Sequence, residues 1–154
     1  MRALVRKIDT IHRLAPAERR YAFAAMALMG IVRTALWLVP FRIWKRTVTE
    51  GRISRLRFLG HSDEQVAWAV SLASRYIPRA SCLTQALTAQ ILLNWSGHEN
   101  QLHIGVAREF GFKAHAWIEC AGRVLVGGAL ESGGYSPILT FEGPASKLET
   151  DRIL

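Results

Sequence analysis

The chain has 154 residues, half of them hydrophobic, which suits one globular domain with a buried core and excludes a disordered chain. Its net charge of +8 is uneven: residues 1–60 carry 13 Lys and Arg against Asp9, Glu18 and Glu50, a balance of +10, while residues 61–154 come to −2. That asymmetry points the N-terminal part towards an acidic peptide or a membrane surface, or else it is a solvated basic face. No nucleic-acid-binding signature accompanies it, so no nucleic-acid partner is expected. Two cysteines, Cys82 and Cys120, exclude a disulfide framework, and without a CxxC pair neither a metal nor a cofactor is expected. The N-terminus lacks the basic, apolar and small-residue order of a signal peptide, so the expected location is cytoplasmic.

Taken in chain order, Pro16 and Glu18 mark a first helical turn, because proline fits position N1 and an acid suits the positive end of the dipole. This helix is predicted to reach about Leu38, where Pro40 stops it. Tyr21–Val32 is uncharged, and Arg33 then interrupts the apolar run. A spanning helix needs about 20 predominantly apolar residues, and an Arg at mid-span costs about 2.5–3.5 kcal/mol. A core helix, or one lying on a partner or membrane surface, is expected instead. A short basic helix is predicted over 41–49, ended by Gly51. Ser62-Asp63-Glu64-Gln65 reads as a capping box, and Val66, Ala69, Val70, Ala73, Tyr76 and Ile77 follow at helical spacing up to Pro78.

Ser81 is an N-cap residue for a helix over Cys82–Trp95, with Gly97 ending it. Apolar residues cover most of its circumference, so it is predicted to be central and buried. After Gly97 the period changes to that of strands: Leu102–Val106, Phe112–Cys120, and Arg123–Val126 across a tight turn at Ala121-Gly122. A further strand is predicted around Ile138–Phe141. Helices followed by an antiparallel sheet make an α+β fold.

Cys82 is the sharpest chemical feature. It stands first in its helix, where unpaired N–H groups and the dipole favour a thiolate, the nucleophilic form, and supply a donor to an oxyanion. A lone cysteine at such a place is also a common packing residue, so a partner is needed to decide. In the strand Phe112–Cys120, Ala114, Ala116, Ile118 and Cys120 share a small apolar face that should meet the core, which makes Cys120 a packing residue. His115, Trp117 and Glu119 share the other face. A base on a strand facing a thiol at a buried helix start is the arrangement of cysteine peptidases and transglutaminases. Trp117 either packs beneath the central helix or walls a substrate groove. Gln85, one turn into that helix, either polarises a substrate carbonyl or is merely exposed. His12, His61, His98 and His103 show no ligand spacing and read as surface or loop residues.

The segment Ser81-Cys82-Leu83-Thr84-Gln85-Ala86-Leu87, the strand Ile104-Gly105-Val106 and the run Phe112-Lys113-Ala114-His115-Ala116-Trp117-Ile118-Glu119 occur in that order. With Gly122-Arg123-Val124 closing a hairpin and Leu38-Val39-Pro40-Phe41-Arg42 upstream, the chain resembles the transglutaminase-like leader peptidases of lasso-peptide biosynthesis over roughly residues 15–141. The resemblance implies a transglutaminase/papain-like core over residues 61–154 behind a basic helical region over 1–60, in one compact unit. It implies a cysteine endopeptidase that removes the leader from a ribosomally made precursor. The expected partners are the precursor's leader, a small leader-binding recognition protein and the ATP-dependent lasso cyclase. With no stretch to spare for a leader-binding domain, the chain resembles the stand-alone peptidase of the split type. A Cys–His acyltransferase and a non-catalytic leader-binding subunit are the alternatives.

The sequence departs from that family in one respect. The resemblance implies an aspartate shortly after the His strand, to orient the histidine. A two-residue turn at Ala121-Gly122 would set Cys120 opposite Arg123, Trp117 opposite Val126 and His115 opposite Gly128, where no carboxylate stands. Glu119 is four residues from His115 along the same strand, about 13 Å away. Glu131 is the next acid downstream and the candidate orienting residue; a backbone carbonyl or a bare Cys–His dyad are the alternatives.

Overall fold

The computed structural model describes residues 15–39, 61–107, 113–128 and 135–143. Among these residues three helices, α1 (Pro16–Leu38), α2 (Asp63–Ser74) and α3 (Cys82–Ser96), precede four strands. These are β1 (Gln101–Ala107), β2 (Lys113–Cys120), β3 (Arg123–Val126) and β4 (Ser136–Glu142). They form one antiparallel sheet in the order β3-β2-β1-β4, an α+β architecture. The short basic helix expected over 41–49 lies outside the described residues.

Local chemistry accounts for the helix boundaries. α1 begins at Pro16, and Glu18 Oε2 accepts the Ala15 N–H at 3.2 Å. At the start of α2, Ser62 Oγ accepts the Gln65 N–H at 3.2 Å and Gln65 Oε1 accepts the Ser62 N–H at 3.0 Å, a reciprocal capping box. α2 stops at Ser74, ahead of Tyr76 and Ile77, whose N–H groups both turn back to Ala73 O at 3.0 Å. Pro78 biases the residue before it away from helical geometry, which is why the apolar spacing outlasts the helix.

α3 is the centre of the molecule. Every residue from Ala86 to Leu93 is buried, and the helix packs against α1, α2 and strands β1, β2 and β3. Two of its buried polar side chains bond to backbone: Thr88 Oγ1 donates to Thr84 O at 2.7 Å, and Gln90 Nε2 to Phe141 O at 3.2 Å, which ties β4 to the helix. Tyr21, Ala25, Met29 and Val32 of α1 join Val66, Ala69, Val70 and Ala73 of α2 in the same core, with Leu102, Ala116, Ile118, Cys120 and Phe141 from the sheet. Each fully buried aliphatic side chain contributes roughly 1.5–3 kcal/mol. α1 is long and apolar enough to cross a membrane, and Phe23, Ile31, Trp37 and Leu38 are exposed on it. Its other face is nevertheless fully buried in this core.

The β2–β3 pairing differs from the uninterrupted register predicted from the turn. Cys120 does face Arg123, and Glu119 faces Val124, but Ile118 then faces Val126, with a bulge that leaves Leu125 unpaired. One extra residue on β3 displaces everything beyond it along β2 and brings the chain at Gly127 alongside Trp117.

Tyr21 yields a test of this packing. It is 5 % exposed and stacks on His61 with ring centroids 3.8 Å apart. Burial pushes its phenol up to about 12 from the usual 10.0. The folded protein keeps a proton that the unfolded chain releases, so this contribution is intact below about pH 10 and is lost as pH rises towards 12. Stability should fall by up to about 2–3 kcal/mol over that interval. Tyr21→Phe should flatten the decline in urea unfolding curves taken between about pH 9 and 11; an unchanged slope would show that Tyr21 does not drive it.

Candidate active site

Cys82 is the first residue of α3 and is half-buried. Ser81 caps the helix: its Oγ accepts the Thr84 N–H at 3.2 Å and pairs with Thr84 Oγ1 at 2.9 Å, and its carbonyl accepts the Gln85 N–H at 3.0 Å. The N–H groups of Cys82 and Leu83 have no helical acceptor, as first-turn donors do not, and can serve an oxyanion. Gln85 Nε2 donates to Ala80 O at 3.0 Å. One of its donors is therefore spent bracing the segment that leads into Cys82.

His115 sits near the start of β2, half-buried, directly opposite Gly105 of β1. Its Nε2 lies 2.9 Å from Gly127 O. A carbonyl can only accept, so Nε2 carries the hydrogen, and in the neutral ring Nδ1 keeps the lone pair that a general base needs. The orienting position thus holds a backbone carbonyl. Glu131, the carboxylate candidate for that role, lies outside the described residues.

The other contacts of His115 are aromatic. Trp117 stacks on it with centroids 6.3 Å apart, His103 in turn stacks on Trp117 at 5.2 Å, and Tyr135 tilts against His115 at 5.1 Å. His103 is held in turn: Nδ1 lies 3.0 Å from Thr140 Oγ1, and Nε2 lies 3.4 Å from Glu119 Oε2. Trp117 is buried where two glycines make room for it. A Cβ at Gly105 would come within 2.8 Å of the indole, and one at Gly127 within 2.7 Å of Trp117 Cβ. Most of the Trp117 ring is therefore taken up by packing beside the histidines. His61 and His98, read from the sequence as surface or loop residues, also have fixed partners: His61 stacks on Tyr21, and His98 Nε2 donates to His61 O at 2.7 Å.

The two candidate catalytic groups stand on adjoining elements, since α3 packs on β2. Ala116, Ile118 and Cys120 enter the core with α3, and His115 belongs to the alternate set of β2 residues. Among the described residues no hydrogen bond joins Cys82 Sγ to the His115 ring; in substrate-free enzymes such bonds are often long and tighten only in the Michaelis complex. Nor do three His, Cys, Asp or Glu side chains cluster as metal ligands among the described residues. Tyr135 had no signal in the sequence, whereas a backbone carbonyl was among the alternatives for the orienting group without being assigned to Gly127. The double glycine at 127–128 marked the place, but a carbonyl has no residue-type signature.

A protein-family profile described as the transglutaminase-like superfamily matches residues 25–140. The chain belongs to that superfamily. No curated protein and no solved structure gives a significant match. Transglutaminase-like proteins are generally cysteine peptidases or acyltransferases, and both chemistries pass through an acyl-thioester on a cysteine.

The two thiols of this transglutaminase-like chain should differ sharply. Burial first, then the nearby Asp63 carboxylate, pushes the Cys120 thiol up, with Arg123 opposing. Iodoacetamide should modify Cys82 in the folded protein at neutral pH and spare Cys120, and Cys82→Ala should abolish the labelling. Comparable labelling of Cys120 would contradict this assignment. Gly127→Ala tests the carbonyl brace. Its φ of +96° and the Trp117 backbone at 2.9 Å leave no room for a methyl group, so the carbonyl must move away from His115. Turnover, measured as peptide cleavage or amine transfer, should fall about 10–100-fold with the circular dichroism spectrum retained.

Proposed function

We propose that this chain is a cysteine endopeptidase that removes the leader from a ribosomally made lasso-peptide precursor. The observations that carry the reading are a cysteine at the first position of a capped, largely buried helix and, on the strand against which that helix packs, a histidine whose Nε2–H is held by a carbonyl. Such a histidine presents Nδ1 to take a proton. The thiolate of Cys82 attacks the scissile carbonyl, and the thiol proton passes to His115. The developing oxyanion meets the free N–H groups at the helix start. The protonated imidazole then gives its proton to the leaving amine, and the acyl-thioester remains on Cys82. Water, with its proton taken by His115, releases the leader and restores the thiol.

The segments around Cys82 and His115 favour leader removal over other acyl chemistry, because their order and spacing resemble the lasso-peptide leader peptidases. The same resemblance supports a small leader-binding recognition protein that delivers the precursor, an ATP-dependent cyclase that uses the new N-terminus, and a cytoplasmic setting. The basic excess of residues 1–60 suits contact with the leader or its carrier, in preference to a membrane surface.

Incubation of the purified protein with a precursor peptide and its leader-binding partner should yield leader and core masses that sum to precursor plus one water. Cys82→Ala should abolish that cleavage and leave the melting temperature within a few degrees of wild type. Cleavage that persists in Cys82→Ala would remove the nucleophile assignment. A product carrying an added amine in place of water would identify an acyltransferase.

A further inference from the structure

We infer that Arg33 of α1 is a positioning residue for the Cys82 nucleophile. The inference rests on the reading of Cys82 given above. The guanidinium Nη1 of Arg33 donates to the carbonyl of Arg79, 46 residues along the chain and three residues before Cys82. Arg79 is one of two non-glycine residues with positive φ among those described, at 58°. A left-handed conformation costs an ordinary residue about 1–2 kcal/mol and persists where its surroundings impose it. Here the surroundings are visible on every carbonyl leading into the nucleophile. Arg79 O accepts from Arg33, Ala80 O from Gln85 Nε2, and Ser81 O from the Gln85 N–H. With these three carbonyls turned towards fixed donors, the Cys82 and Leu83 N–H groups are left at the open end of the helix.

Of the three donors, the two from Gln85 belong to α3 itself and move with it. Arg33 alone ties this segment to another element. Ala80, Cys82 and Leu83 pack on the core, but beside them α1 and the start of α3 border a groove of about 510 Å³, lined by Arg33, Thr34 and Trp37 of α1 and by Ser81, Leu83 and Thr84. The planar fork of Arg33 also holds the acceptor in one direction, which a flexible ammonium does less well. The residue that breaks the apolar run of α1 thus has a specific task, to set where the helix of the nucleophile begins.

The test compares kcat, KM and the rate of Cys82 alkylation by iodoacetamide in Arg33→Met, Arg33→Lys and Arg75→Met. Arg75 is exposed at the end of α2, outside the basic N-terminal region, and controls for loss of one positive charge. Arg33→Met should lower kcat about 10–100-fold with KM within about twofold, and should slow alkylation in parallel while the protein stays folded. Arg33→Lys should fall between Met and wild type, because an ammonium can still donate to Arg79 O. Arg75→Met should match wild type. Wild-type kcat and alkylation in Arg33→Met would overturn the inference, as would an equal loss in Arg75→Met. If Arg33→Met does not fold, Arg33→Lys decides: reduced kcat and alkylation support the role, and unchanged values overturn it. Loss of cleavage in Cys82→Ala beside normal Arg33 variants would sink the positioning role alone. Cleavage surviving in Cys82→Ala would sink the catalytic reading itself.

Discussion

Burial of α3 on almost every side is the constraint around which the rest of the molecule is arranged. A helix whose middle is enclosed by two other helices and a sheet can offer chemistry only at its ends, where the backbone leaves donors or acceptors unpaired. Cys82 stands at the donor end. The elements around it serve to fix that end: Ser81 from the cap, Gln85 from the next turn, and Arg33 from a helix earlier in the chain.

The sheet divides its labour between alternate residues. One set, Ala116, Ile118 and Cys120, is spent on the core. The other set builds a row of rings, His103, Trp117 and His115, closed by Tyr135. Aromatic contacts of this kind contribute about 0.5–1.5 kcal/mol each beyond burial. Their consequence here is directional as well as energetic, because a ring stacked on one side and hydrogen-bonded at Nε2 has little freedom to turn. Two close backbone approaches make room for Trp117, Gly105 against its indole and Gly127 against its Cβ and Cα. The bulge at Leu125 is what brings Gly127 into place, so a local irregularity in β3 determines which atom holds the histidine.

α1 joins the two halves of this arrangement. Its buried face completes the core, and its Arg33 reaches the segment in front of Cys82. A chain read by charge alone would make this helix a basic accessory to a separate catalytic unit. Its packing makes it part of the same unit, because Tyr21, Ala25, Met29 and Val32 lose their water only when α2 and α3 are present to cover them.

Local patterns in the amino-acid sequence determined much of this. Capping residues and apolar spacing located the three helices, since both act within a turn or two. Alternation in residues 113–120 assigned His115 and Cys120 to different faces, because a strand has a period of two. The helix-start cysteine and the strand histidine were legible for the same reason. What only the tertiary structure decided are the interactions between distant segments and those made by backbone atoms. The bulge at Leu125 depends on how β3 settles against β2, and the carbonyl of Gly127 carries no side-chain signature. Tyr135 and Arg33 gained their places through contacts 20 and 46 residues away along the chain, with His115 and Arg79. No periodicity reports such pairings, because packing in three dimensions selects them after the local elements have formed.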